Sequence, residues 1–269
     1  MDDALFTVLD DGRFLPTPLS RGPWSPDALH GGPVAALVVR AAEQVLAATG
    51  APAHVPDRIT LDLERPVPLA PLQVRAEVVR PGRKVQVAEV SVHGDDGRRL
   101  VRATVLAIRR AAVELPADCQ SPADLVPPGR ETADDVPMWR PMGDTVAFHK
   151  DAVEHRFVAG GGMLALGPAS DWMRLRVPVV AGEVPSGAQR LVAAADFVNG
   201  LSGVLPFDRW TFINPDLTVT LHRVPEGEWI GIEATTRLEP TGIGTAEGEL
   251  FDERGRVGRC VQTLLVEPR

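Results

Sequence analysis

Tyrosine is absent from the 269-residue sequence, cysteine occurs twice, and aromatic residues make up 5% of the chain. No chemistry can be assigned to a phenol. Cys119 and Cys260 lie far apart and match no CxxC or metal-ligand spacing, so neither a disulfide framework nor a zinc site is indicated. Both read as buried or bystander thiols. Cations are in deficit too: 28 Lys and Arg against 36 Asp and Glu give a formal net charge of -8 and a pI near 5.3. Phosphate neutralisation needs a basic surface, so a general nucleic-acid binder is disfavoured, although a local cationic patch for a small anion stays compatible. No apolar run approaches the roughly 18 to 20 residues of a membrane span. The Met-Asp-Asp-Ala start is acidic, and the cytoplasm is the expected compartment.

What is present suits a folded globular chain: 44% hydrophobic and 24% charged residues, with mean hydropathy near zero. The length fits one large domain or two of about 130 residues. Gly and Pro, 25 each, announce many turns. An internal repeat is also visible. Ile59-Thr-Leu-Asp-Leu-Glu-Arg65 aligns with Leu217-Thr-Val-Thr-Leu-His-Arg223 at an offset of 158 residues. The same offset carries Ala88-Glu89 onto Ala246-Glu247 and Gly97-Arg98 onto Gly255-Arg256. β-Meanders resemble one another by chance, but one offset shared over this distance favours duplication.

Each copy has the same plan. In the first, a short strand (5–9) and a Pro/Gly-rich loop lead to an apolar helix from Pro33, stopped by Gly50. Strands are expected at 59–64, 72–79, 84–92 and 99–109, with a hairpin turn at Asp95-Asp96-Gly97. In the second, strands near 153–158 and 171–178 precede a helix from about Gly187, and strands follow at 216–223, 229–238, 242–252 and 257–266. A helix apolar nearly all round must be buried, and the strands after it are what can bury it. The expected fold is α+β: a double hotdog, with a long central helix wrapped by an antiparallel sheet in each of two tandem domains, 1–111 and 145–269. The proline-rich, aperiodic stretch within 112–144 reads as a linker.

Trp24-Ser-Pro-Asp-Ala-Leu-His-Gly-Gly-Pro-Val-Ala-Ala-Leu37 resembles the helix entry of hotdog thioesterases. Ala195-Asp196-Phe197, Asn214-Pro215-Asp216 with Leu221-His222-Arg223, and Val261-Gln262 resemble the second half of the acyl-CoA thioesterase II family. The resemblance covers most of the chain outside the linker. It implies that an Asp, a Thr or Ser, and a Gln of the second hotdog hold the water that attacks the thioester. These map onto Asp196, Asn214 and Gln262. Asn214 is a departure from the hydroxyl: an amide also accepts and donates hydrogen bonds, on a longer side chain.

Thioester hydrolysis needs a carboxylate to orient or deprotonate water, donors for the developing oxyanion and a dry slot for the acyl chain. His30-Gly31-Gly32 precedes Pro33, so Gly31 and Gly32 are expected at the positive end of a helix dipole, where a substrate can approach the backbone with no Cβ in the way. Asp196 falls about nine residues into its own helix, roughly 13 Å along the axis. It can meet those glycines only if the two helices run antiparallel about a pseudo-twofold. Copy one has no acid at Val38 to Arg40, and copy two has Ser186-Gly187-Ala188 in place of His-Gly-Gly, so one composite site is expected of two.

Plainer roles stand beside these. Asp196 and Gln262 are compatible with structural hydrogen bonding. His30 suits a loop or cap and is assigned positioning at most, while His222-Arg223 suits either an anionic coenzyme or a solvated strand end. Trp24, Phe14 and Phe197 are slot candidates or core. Gly160-Gly-Gly162 lacks the context of a phosphate cradle. A serine-nucleophile elbow is disfavoured because Gly200-Leu-Ser-Gly-Val204 breaks G-x-S-x-G at its last position. An enoyl-CoA hydratase is disfavoured because such hotdog enzymes resemble one another in an Asp with a His five residues on, where this chain has Leu201. The expected function is acyl-CoA hydrolysis with no metal and no cofactor. A non-catalytic acyl-CoA or acyl-carrier binding module with a decayed site is the alternative. Homo-oligomers are expected, since sheet edges want covering.

Overall fold

The computed structural model describes residues 4–50, 53–119, 129, 143–160 and 165–269. Most of the expected linker and residues 161–164, which include two of the three glycines at 160–162, lie outside that set. A small hairpin, β1 (Phe6–Val8) and β2 (Phe14–Pro16), opens the chain. The first half continues with helix α1 (Gly31–Ala48) and strands β3 (His54–Leu63), β4 (Gln73–Arg80), β5 (Val85–His93) and β6 (Arg99–Arg109). The second comprises β7 (Val153–Ala159), β8 (Ala169–Leu175), α2 (Gly187–Ala195), the short α3 (Val198–Leu201), β9 (Trp210–Ile213), β10 (Asp216–Leu221), β11 (Trp229–Glu239), β12 (Ile243–Asp252) and β13 (Gly255–Pro268). The fold is the double hotdog that the repeat foretells.

Helix α1 forms where the sequence invites it. His30 caps its start in extended conformation, and Gly50, with φ of +66°, turns the chain away after its end. It begins at Gly31, two residues before the expected proline, which is tolerated anywhere in a first turn. Val34 to Val39 are all buried, because β3 to β6 cover one side of the helix and α2 the other. The strands show the matching period of two: along β5, Gln86, Ala88, Val90 and Val92 point inward while their neighbours stay half-exposed. The Asp95-Asp96-Gly97 turn joins β5 to β6 as expected, with φ of +74° at Gly97.

One antiparallel sheet runs through both halves in the order β4-β5-β6-β3-β10-β13-β12-β11-β8-β7, with β9 paired to the end of β13. The seam is β3 against β10. There Thr60 faces Thr218, its own repeat mate at the 158-residue offset, and the two hydroxyls lie 3.5 Å apart. A pseudo-twofold axis therefore passes between them.

That axis makes α1 and α2 antiparallel and creates two junctions between helix ends. At the first, the start of α1 meets the end of α2. At the second, the start of α2 meets Glu43 of α1, whose carboxylate accepts from Ser186 Oγ and Gln189 Nε2, both at 2.7 Å. Arg40 pairs with Glu183 nearby. Burial pushes the Glu43 carboxyl above its ordinary value of 4.5, against the two hydrogen bonds. The folded state thus keeps this proton to higher pH than the unfolded chain. The stability it contributes is full below pH 4.5 and is lost as pH rises through the raised value. Glu43→Gln should raise the Tm at pH 8 and change it little at pH 4, measured by thermal melts; a fall at pH 8 would show that the charged form is favoured there.

Candidate active site

The first junction gathers the candidate residues. The second helix does not run through Asp196, as its sequence suggests: α2 stops at Ala195, and Asp196 caps it before α3 begins. Ending a helix frees its last carbonyls. Cys260 Sγ, 3.8 Å from the Ala195 carbonyl oxygen, and Gln262 Nε2, 3.5 Å from that of Asp196, approach them from β13. Strand alternation puts Cys260, Gln262 and Leu264 on the inner face, and all three are buried. Burial and the Asp196 charge push the Cys260 thiol up, so it is inert as a nucleophile.

Asp196, 5% exposed, is held from both halves of the chain. Its Oδ1 accepts from Gln262 Nε2 at 3.0 Å and from Asn214 Nδ2 at 3.1 Å. Its Oδ2 lies 2.8 Å from His30 Nδ1. Asn214 is itself fixed beside the seam. It donates to the Asp216 carbonyl at 3.1 Å, and Pro215, next to it, accepts from Leu63 at 2.7 Å. His30 Nδ1 is also 3.0 Å from the Gly32 amide. That nitrogen has one in-plane position, so it either accepts the Gly32 N–H or donates a proton to Asp196.

The glycines bring two parts of the protein together. A Cβ on Gly31 would lie 2.7 Å from Asp196 Oδ2, and one on Gly32 would lie 2.6 Å from the Ala193 carbonyl oxygen and 3.0 Å from Phe148. Neither glycine has a positive φ; both permit close approach of two helix ends. Gly31 also lines the cavity described next, whereas Gly32 sits behind it.

A cavity of about 790 Å³ opens beside Asp196 and spans both halves. That is within the usual range for a small-molecule site. His30, Asp196, Phe197 and Asn214 line it on the inner side, and Trp24, Phe207 and Phe212 form an aromatic wall. Trp24 stacks on Phe207 at 4.5 Å and meets Phe212 edge-on at 5.1 Å, while Phe197 packs on His30 at 4.7 Å. Gln262, fully buried, does not line the cavity and holds Asp196 from behind. Phe14 lies away from it under Arg40. Arg223 is bound to Asp252 by two 2.5 Å contacts and His222 beside it is exposed; neither lines the cavity. His149, Phe157, Phe207 and Phe212 line the cavity without any local sequence signal. Phe148, beside His149, flanks His30 at 5.0 Å.

Two family descriptions match the chain: the N-terminal domain of acyl-CoA thioesterases over residues 20–108, and the C-terminal domain over residues 121–266. The chain belongs to the acyl-CoA thioesterase family. Among solved structures, a protein from Thermobifida fusca provisionally assigned as a thioesterase II superposes with a TM-score of 0.72 at 18% identity, over 97% of this chain and 95% of the other. A provisionally assigned thioesterase from Novosphingobium aromaticivorans gives 0.69 at 20% identity over 97% and 98%. An acyl-CoA thioesterase II from Mycobacterium marinum gives 0.65 at 14% identity over 98% and 95%. At these identities the superpositions speak for the fold. No curated protein matches. Among the described residues, no helix is long and apolar enough to cross a membrane.

Because no side-chain atom fits at residue 31, Gly31→Ala should displace the Asp196 carboxylate. The expected cost is about 1–3 kcal/mol, the usual penalty of overpacking, read as a lowered urea midpoint at unchanged m-value. An unaltered midpoint would mean that the junction relaxes freely.

Proposed function

We propose that this chain hydrolyses an acyl-CoA thioester at the His30–Asp196 junction. The observation that carries the reading is the convergence of an acid from one half, a helix N-terminus from the other and a largely apolar cavity on one point. Two donors occupy Asp196 Oδ1, which leaves Oδ2 as the more basic oxygen, with one lone pair toward His30 and one for a water molecule.

In this reading Oδ2 takes a proton from water as the water oxygen adds to the thioester carbon. The carbonyl π-pair moves onto oxygen, and the resulting oxyanion lies at the start of α1. The first amides of a helix have no partner within the helix, and that end carries partial positive charge; Gly31, which lines the cavity, supplies an amide in this reading. Collapse restores the C=O bond and breaks C–S, and the proton held by Asp196 passes to the departing thiolate. The products are a carboxylic acid and free CoA thiol. Asn214 touches the cavity and acts both on Asp196 and on water; Gln262 is a positioning residue for the acid. Trp24, Phe197 and their aromatic neighbours exclude water and hold the apolar part of the substrate.

Free-thiol release from short, medium and long acyl-CoAs tests the assignment. Asp196→Asn should lower the rate by about 10² or more, in the range of general-base deletions. Asn214→Ala should lower it about tenfold, as loss of a hydrogen bond to a charged group does. Equal rates for wild type and the Asp196 variant would remove the acid from the mechanism. Tight acyl-CoA binding with no turnover would favour the binding module, and hydration of crotonyl-CoA the hydratase.

A further inference from the structure

A second Asp–His pair lies behind the first. Asp171 of β8 and His155 of β7 are buried on the inner face of the sheet, 0% and 4% exposed. Asp171 Oδ2 is 2.6 Å from His155 Nδ1, and His155 Nε2 is 2.9 Å from the carbonyl oxygen of His149. A carbonyl only accepts, so Nε2 carries a proton and donates it to residue 149. Asp171 fixes the other side of the ring. Taking two ionisable groups out of water is costly, and an apolar pair would fill the same space without that cost.

His149 belongs to a single π-helical turn, Phe148–Ala152, which has no side-chain cap. Wide turns of this kind are rare and are frequent at functional sites. The turn is tied at its start to the first half of the chain, where the Phe148 amide donates to the Arg21 carbonyl at 2.9 Å. His155 ties it to the sheet. Between these ties the Phe148 ring flanks His30 at 5.0 Å and Phe197 at 5.5 Å. Phe197, the residue after Asp196, meets His155 edge-on at 5.1 Å. His155 therefore reaches both faces of the box that holds the His30 ring: through the turn to Phe148, and directly to Phe197.

We propose that His155, oriented by Asp171, is a positioning residue for the site: its bond to the His149 carbonyl sets the π-helical turn that presses Phe148 and Phe197 onto His30. This rests on the hydrolase reading for its kinetic consequence only. The geometric claim is independent of turnover.

Two substitutions separate the bond from the bulk of the ring. His155→Gln places an amide donor near the Nε2 position and keeps the bond to residue 149. His155→Asn reaches only as far as Nδ1 and loses that bond. Both are made in the full chain, checked by thermal melts, and read by imidazole nitrogen–proton NMR of His30, assigned with His30→Gln, and by kcat and KM for thiol release. The Asn variant should shift the His30 signals and lower kcat about tenfold with little change in KM, as small misplacements of reacting groups do. The Gln variant should keep the wild-type His30 signals and most of kcat. If the Asn variant does not fold, the Gln variant decides alone. Displaced His30 signals in a folded Gln variant, wild-type signals in a folded Asn variant, or unfolding of both would overturn the proposal and leave the pair as a stabilising element. Absence of thiol release from the wild type would sink the hydrolase reading, with the spectra still deciding the positioning claim.

Discussion

Two helix ends meet where the first two residues of one carry no side chain, and the rest of the molecule is arranged around that contact. Gly31 and Gly32 bring the start of α1 against the end of α2, and Asp196 occupies the place where a Cβ would have stood. The Asp196 side chain there has three side-chain partners, Asn214, Gln262 and His30. The contact is long-range in the chain, so its geometry depends on the sheet that carries both helices. That dependence explains why the pairing of β3 with β10, remote from any chemistry, matters to the site: Asn214 and Pro215 are fixed beside that seam.

The pseudo-twofold makes two junctions, and the sequence has treated them differently. One keeps an acid beside glycines and a cavity of ligand size. The other closes on Glu43, Ser186 and Gln189, with Arg40 and Glu183 alongside. Hydrogen bonds close the second junction, whereas at the first Asp196 also lines the cavity. Divergence between the halves is thus visible as physical chemistry: related backbones, with polar groups that satisfy one another in one place and line a cavity in the other.

The fold was largely legible in the chain because its signals are local. Period-two alternation in β5 and β10, the Asp95-Asp96-Gly97 turn, the apolar run of α1 and a constant 158-residue offset each survive inspection of a short window. Asp196, Asn214 and Gln262 were legible through resemblance, and the meeting of Asp196 with the glycines followed from placing the helices antiparallel. Other features were hidden because tertiary contacts create them. The break of the second helix after Ala195 is accompanied by side chains from β13, more than sixty residues on. The approach of a carboxylate to Gly31 and of a carbonyl to Gly32 is set by tertiary contact alone. Phe207, Phe212 and His149 come from irregular segments with no period to read, and Phe148 and His149 fall in a π-helical turn that no propensity scale anticipates.

The self-facing register at Thr60 and Thr218 has a consequence for how the polypeptide is joined. Both halves are welded by main-chain pairing of β3 with β10 and by the packing of α1 on α2, so the covalent stretch from β6 to β7 is not what aligns them. Chain continuity instead fixes composition: each molecule receives one acid-bearing half and one glycine-bearing half. Two like halves could pair across the same kind of edge, and neither such assembly would bring Asp196 against Gly31. Tethering converts a self-complementary seam into an obligate partnership of unlike pieces.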